Sequence, residues 1–466
     1  MNIMKKWIAL VICFATVLCM CACTASGKKE PTGLQVGYAR EKIHPEESVP
    51  LAGYGQTEKR MSENTLDFLQ ATCVAFKEGD TTVLMFSQDL IRSTASWIKE
   101  VRNQITQKLG IPAEHIMVSA THTHSAPDST KTVPSIQNYR TLYIAQMVKA
   151  AEKAVADLAP ATLSGTKTDA ELNYIRHYRM VDGSYSGSNF GDWSLKIEDH
   201  ARDNDPGMQL VKITREGDKK DILMVNWQAH PCNTGGVEKL DISADYIAPL
   251  RDKIEADTGM HFIYFLGACG DQNATSRLED HHGLEHQEYG QKLAQYAIDA
   301  FPNLQPIEGS GIKNTQVIYE GPVNHDDEHL QAEAQQVKAA YEAGGRDAGN
   351  SVARKLGISS VYHANAILAR PSRPLTTTME INAIRVGGMA FITAPIEMFA
   401  AHGSHIKENS PFDITFVLTC ANDAKGYIPT ADAYDYGCYE SYTSTFAKGV
   451  GEALAEKYVE MLKGLQ

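Results

Sequence analysis

The stretch Ile116-Met117-Val118-Ser119-Ala120-Thr121-His122-Thr123-His124-Ser125-Ala126-Pro127 decides how the rest of the chain is read. Its first residues form a short apolar run of strand character, which passes into a polar turn closed by a proline. On an extended chain residues two apart project to the same side, so His122 and His124 face one site at the end of that strand. Imidazole is the usual nitrogen donor to zinc, and a His-x-His pair at a strand end is a common way to supply it. The same two residues also read as loop histidines with no metal. Polar groups at strand exits are where α/β proteins place ligand-binding chemistry.

Three further blocks have the same shape. Ile222–Trp227 is an apolar strand that ends in Gln228-Ala229-His230-Pro231-Cys232-Asn233-Thr234-Gly235-Gly236, leaving His230 at its exit, as a ligand or as a hydrogen-bonded structural histidine. His261–Leu266 leads into Gly267-Ala268-Cys269-Gly270-Asp271-Gln272-Asn273. This sharp turn carries an acid, and its backbone N–H groups suit a carboxylate or an oxyanion. In Phe391-Ile392-Thr393-Ala394-Pro395-Ile396-Glu397-Met398-Phe399 an acid lies among apolar residues directly after a strand, which is costly unless it is paired or metal-bound. A fifth block begins Gly426-Tyr427-Ile428-Pro429-Thr430 and continues through Tyr434, Tyr436 and Tyr439 to Glu440, a tyrosine-rich loop suited to packing or ligand contacts.

Around these blocks, β-type runs fall at 82–87, 115–119, 208–214, 222–227, 261–266, 381–386 and 414–419. Helical periodicity falls at 97–109, 142–158, 246–257, 289–301, 330–341 and 445–462. The Gly/Ser/Asp-rich stretch 182–205 reads as a long functional loop. With no internal repeat and no linker, the expectation is α/β: a mixed β-sheet core with flanking helices, in a single large domain over 34–466. The 466 residues are 43% hydrophobic, enough for a large core and incompatible with disorder. A net charge of −13 with no basic cluster excludes a nucleic-acid partner, and nothing points to an obligate protein partner.

The N-terminus reads as a targeting segment. Residues 1–6 are basic, and 7–18 form an apolar run too short to span a bilayer. Met20-Cys21-Ala22-Cys23 then resembles a bacterial lipoprotein leader. On that reading 1–22 is the leader, Cys23 carries the lipid that anchors the chain to a membrane, and 23–33 is a flexible tether. The other reading is a plain secretory leader. Either way the body is extracytoplasmic. Four of the nine cysteines lie in this segment, leaving Cys73, Cys232, Cys269, Cys420 and Cys438. Their odd number and wide spacing fit no zinc finger and no disulfide framework, and at most one bridge such as Cys420–Cys438.

Taken together, in order and content, the five blocks resemble the N-terminal catalytic domain of the neutral (non-lysosomal) ceramidase family. Val36-Gly37-Tyr38-Ala39, Pro50-Leu51-Ala52-Gly53-Tyr54-Gly55, Asn226-Trp227-Gln228-Ala229-His230 and Ile242-Ser243-Ala244-Asp245 extend the resemblance over about 34–465. It implies a hydrolase of the amide bond of N-acylsphingosine-like lipids that uses one zinc ion, with zinc-bound water as nucleophile. By the same resemblance His122, His230, Glu397 and Tyr427 hold the metal, and His124 carries protons or donates to the substrate. Arg176 and Tyr439 meet the substrate carbonyl, and Asp271 belongs to the Gly-Asp turn. On this resemblance the family's smaller C-terminal immunoglobulin-like domain is expected to be missing, since the sequence stops one helix after Glu440. The family's serine three residues after the glycine of that turn is replaced by Asn273, which cannot accept an acyl group but can donate a hydrogen bond to an oxyanion. Two alternatives follow: a zinc hydrolase of a more polar amide or ester, or a surface lipoprotein that binds a ligand without turnover.

Overall fold

A computed structural model describes residues 33–54, 59–278 and 283–466, and one chain path traced three times accounts for both of its main sheets. The path is an antiparallel three-strand meander, a helix, and a fourth strand parallel to the third. The first unit comprises β1 (Gln35–Lys42), β2 (Gln70–Glu78), β3 (Thr81–Gln88), α1 (Ala95–Leu109) and β4 (Ile116–Ala120). After α2 (Pro134–Ala156), the second comprises β5 (Ala159–Asp169), β6 (Gly207–Arg215), β7 (Ile222–Trp227), α3 (Ile247–Thr258) and β8 (His261–Leu266). Helix α4 (His286–Asp299) closes it. The third comprises β9 (Ile312–Pro322), α5 (Gln331–Lys355), α6 (Val361–Ala369), β10 (Thr376–Val386), β11 (Met389–Thr393), α7 (Ala400–Asn409) and β12 (Ile414–Leu418). The short helices α8 (Ala431–Tyr436) and α9 (Tyr439–Thr443) precede the terminal α10 (Val450–Lys463).

Pairing of β1 with β5 joins the first two units into one sheet, ordered β8-β7-β6-β5-β1-β2-β3-β4, with Gln305–Pro306 added beside β5 as a ninth strand. The third unit forms its own sheet, β9-β10-β11-β12. The two sheets pack face to face through Phe76, Met85, Phe265, Ile384, Phe391 and Phe416. Helices α1 to α4 cover the outer face of the large sheet, and α7 and α10 cover that of the small one. The result is helix, sheet, sheet, helix, and the expected mixed α/β single domain holds.

Buried side-chain amides clip the sheets together. Asn226 on β7 donates to the carbonyls of Phe265 and Val417 at 3.0 Å each and accepts from the Val417 N–H at 2.9 Å. Asn422 accepts from the Val118 N–H at 2.9 Å. A buried amide with all its partners made fixes relative position more strictly than apolar contact does. These clips hold the ends of β4, β7 and β12 in one place.

Two expectations are corrected. The fold contains a threefold repeat that the sequence hides, because strand pairing engages backbone groups and leaves the side chains free to diverge. The stretch 182–205 is not a plain loop, since Tyr185–Gly187 and Ile197–His200 pair on either side of His177–Met180. Among the described residues no helix is long and apolar enough to cross a membrane. The expected leader at 1–22, the lipidated Cys23 and all of the tether before Gly33 lie outside the described residues.

Candidate metal centre and active site

The site forms where strand exits of all three units meet. His122 follows β4 and His230 follows β7. Glu397 follows β11 and pairs in parallel register with Tyr427. His122 has φ +69°, a left-handed conformation uncommon for a residue with a Cβ, and its N–H bonds the Leu90 carbonyl at 2.9 Å. Strain of this kind collects at functional sites.

Three side chains converge there. His122 Nε2 and His230 Nε2 each lie 3.2 Å from Glu397 Oε2. The opposite ring nitrogens face main-chain carbonyls: His122 Nδ1 meets Ile91 O at 2.6 Å, and His230 Nδ1 meets Cys269 O at 2.7 Å. A carbonyl only accepts, so each Nδ1 carries its hydrogen and a neutral ring presents a bare lone pair at Nε2. Two lone pairs and a carboxylate oxygen this close repel unless a proton or a cation sits among them. The donor set therefore fits a divalent metal, and imidazole with carboxylate is the zinc-type combination. Carbonyls that fix the tautomer of a ligating histidine are a usual outer-shell feature of metal sites.

His124 completes a trio of histidines whose ring nitrogens lie within 4.8 Å of one another. Its Nε2 is 3.4 Å from His122 Nε2, and its buried Nδ1 has no hydrogen-bond partner among the described residues. Gly53 makes room for this ring. A Cβ there would come within 2.6 Å of His124 Nδ1, and the backbone has φ +110°, so both space and conformation demand glycine.

Electrostatics follow from burial and crowding. Burial and the neighbouring Arg176 push His230 down to about 4. Burial, with His122 and His230 close by, holds His124 well below the ordinary imidazole range. His122 departs from the pattern: burial disfavours its charge, yet Cys420, whose sulfur is 3.5 Å from Nδ1, and Glu397 push it up to about 10. Burial alone would raise Glu397, but His122 and His230 hold it well below the usual carboxylate range.

Behind this cluster a buried chain of polar groups fixes Arg176. Its Nε donates to Glu440 Oε1 at 2.7 Å, and its main-chain N–H bonds Asp271 O at 2.9 Å. Glu440 Oε2 accepts from His177 Nε2 at 2.7 Å, and His177 Nδ1 accepts from the Tyr436 hydroxyl at 2.8 Å. Burial would raise Glu440, but Arg176 and His177 bring it to about 2. The Arg176 guanidinium lies 5.4 Å over the Tyr427 ring, which is nearly parallel to His230 at 6.4 Å and 5.8 Å from Tyr439.

Two adjoining cavities, of about 420 Å³ and about 500 Å³, open onto the cluster and share Gly53, His124, Tyr427 and Tyr439 as walls. His122 and Glu397 face the first, while Arg176 and Asn273 face the second. The connections between first and second strands of all three units build the second cavity, through Tyr54, Arg176 and Tyr362.

Nine residues were singled out from the sequence, and the structure brings eight to these cavities or the buried nitrogen cluster. Asp271 is the ninth. Its carboxylate is buried beneath the site, where Oδ1 accepts the Ala400 N–H at 2.8 Å at the start of α7, and it lines neither cavity. The Gly-Asp turn has also committed backbone donors elsewhere, with Gly267, Gly270 and Gln272 bonding the carbonyls of Trp227, Met398 and Cys269. The five cysteines among the described residues are free. No Cys420–Cys438 bridge forms, because Cys420 lies at His122 while Cys438 caps α9. Sequence reasoning missed His177 and Glu440 as functional positions. The available signal was an acid directly following Tyr439 in an aromatic run.

No protein-family model and no curated protein matches the chain. Solved structures do. The neutral ceramidase from Pseudomonas aeruginosa superposes with a TM-score of 0.70 at 16% identity, covering 94% of this chain and 75% of that one. A ceramidase complexed with C2 superposes with a TM-score of 0.70 at 15% identity, covering 93% and 75%. This chain has the fold of those ceramidases.

Proposed function

We propose that the protein is a zinc-dependent hydrolase that cleaves the amide bond of an N-acylated substrate, with ceramide-like lipids as the first class to test. The observation that carries the proposal is the convergence of His122 Nε2, His230 Nε2 and Glu397 Oε2 at two tyrosine-walled cavities. The likeness in fold to ceramidases supports it. His122, His230 and Glu397 would hold the ion, with Tyr427 beside them. When bound, zinc supplies a Lewis acid that polarises a carbonyl and brings the pKa of water toward neutrality.

The chain's own residues supply the rest. His124, kept neutral by burial and without a partner at Nδ1 among the described residues, takes a proton from the attacking water and returns it to the leaving nitrogen. Arg176, held by Glu440, offers a fixed positive charge to the carbonyl oxygen as charge develops there. Tyr427 and Tyr439 orient the substrate between the two cavities. The N-terminal reading belongs to the proposal too: the enzyme works outside the cytoplasm, tethered through a lipid on Cys23, where a membrane delivers acyl substrates.

A second reading, hydrolysis of a more polar amide or ester, is favoured by two observations. Asn273 stands where the resemblance expects serine, and Arg92, Asp128 and Lys131 line the first cavity. The experiment that tests the common core is zinc content together with turnover for the wild type, His230→Ala and Glu397→Gln. The expected result is about one equivalent of zinc in the wild type, with zinc and turnover lost together in both variants. Full zinc occupancy in both variants would refute the ligand assignment.

A further inference from the structure

We infer that the second cavity binds an anionic group, so that the substrate is an N-acyl compound whose amine half carries a carboxylate, sulfonate or phosphate. The inference rests on the hydrolase reading and goes beyond it by naming the chemistry of the leaving half. Three arginines, Arg176, Arg277 and Arg346, line this cavity, and no aspartate or glutamate among the described residues does. Glu440 neutralises Arg176 from behind. Arg277 and Arg346 have no carboxylate partner among the described residues.

Aromatic faces hold those two guanidinium groups instead. The Arg277 guanidinium lies 4.2 Å over the Trp193 ring, and that of Arg346 lies 5.5 Å over the Tyr362 ring. A ring supports the flat face of a guanidinium and leaves its N–H edge unspent, and that edge is the part that matches an oxyanion in forked geometry. Among the described residues Arg346 makes one long bond, to the Tyr54 carbonyl at 3.5 Å. It follows the break in α5 at Gly345, where φ +74° and ψ −167° interrupt the helix. Two like charges kept in one cleft with no acid among the described residues repel each other, and an anionic ligand removes that cost.

The placement relative to the reacting atoms is right for a leaving group. The two cavities meet at His124, Tyr427 and Tyr439, so an acyl chain in the first puts the amine half in the second. Hydrolysis breaks the acyl C–N bond, adds the water oxygen to the acyl carbon and delivers a proton to the departing nitrogen. The product released past Arg277 and Arg346 is then an amine bearing an anion. A sphingoid base, which carries no anionic group, makes no use of these two arginines.

The test uses the zinc-loaded mature chain and four matched amides: N-octanoylglycine, N-octanoyltaurine and N-octanoyl-phosphoethanolamine, with neutral N-octanoylethanolamine as reference. We expect kcat/KM for at least one anionic amide to exceed the neutral one by about tenfold or more, the scale of one charge-assisted contact. In Arg277→Gln/Arg346→Gln that ratio should fall toward unity, with an unchanged unfolding midpoint as the check on folding. The member of the series with the largest ratio identifies the oxyanion. A wild-type ratio at or below unity, or a ratio that survives in the double variant, overturns the inference. Calorimetric binding of N-octanoylglycine, N-octanoyltaurine and N-octanoyl-phosphoethanolamine to the wild type and the double variant separates this claim from catalysis. Binding of at least one that weakens about tenfold in the variant, without turnover, keeps the anion site and sinks the hydrolase reading. Absence of binding for all three sinks the anion site whatever the turnover.

Discussion

Replacing Glu440 by glutamine keeps the side chain's size and removes only the charge that holds Arg176 and His177. The carboxylate is 0% exposed and Arg176 is 7% exposed, so water cannot take its place. Breaking a buried pair from one side leaves the other charge uncompensated, at a cost of about 3–5 kcal/mol. With an unfolding entropy of about 2.1 cal/mol/K per residue, the body from Gly33 to Gln466 loses roughly 0.9 kcal/mol per kelvin near its midpoint, so Tm should drop by about 3–6 °C. The pH dependence carries a second signature. Glu440 lies at about 2 in the folded protein against 4.5 ordinarily, a depressed carboxylate, because Arg176 and His177 outweigh burial. Its contribution, about 3 kcal/mol, is fully present above 4.5 and is lost as pH falls toward 2, because the unfolded chain takes up the proton first. Differential scanning at pH 7, 5 and 3 should therefore show the gap between wild type and Glu440→Gln widest at pH 7 and narrowing below 4.5. Equal midpoints at pH 7, or a gap independent of pH, would refute the reasoning.

Gly270→Ala should destabilise the fold by about 1–3 kcal/mol in urea unfolding. The new Cβ would lie 2.6 Å from Glu397 O and 2.8 Å from Met398 O, both backbone atoms that cannot swing aside, so zinc affinity should fall as well. Asn273→Ala should slow turnover by about 10²-fold, the usual cost of one oxyanion donor, while zinc stays bound. Unchanged kcat would remove Asn273 from the chemistry.

What was legible in the sequence was whatever burial forces on a short run of residues. Strands β7 and β8 sit inside the molecule, read as continuous apolar runs, and have the bounds expected of them. The groups at the exits of β4, β7 and β11 stood out by contrast: two histidines two apart, a histidine before a Pro turn, and Glu397 in an apolar setting. Strands β5 and β9 escaped because each gives one face to solvent or to mixed surroundings and carries polar residues along its length, Thr, Ser, Lys and Asp in β5 and Lys, Asn, Thr, Gln and Glu in β9. Helix α5 reads past 341 only once Gly345 is seen to bend it. The coupling of Arg176 to Glu440 spans 264 residues, and no local pattern encodes a partner at that distance. Asp271 was placed in the site for the glycines around it, whereas this fully buried acid accepts the Ala400 N–H at the start of α7.

The most direct test of the central claim is acyl release from N-acyl amides, ceramide among them, by one preparation before chelation, after chelation, and after zinc is restored. The account predicts release that chelation abolishes and that about one equivalent of zinc per chain brings back. Release that is indifferent to chelation, or no release from any amide by folded, zinc-loaded protein, would contradict it.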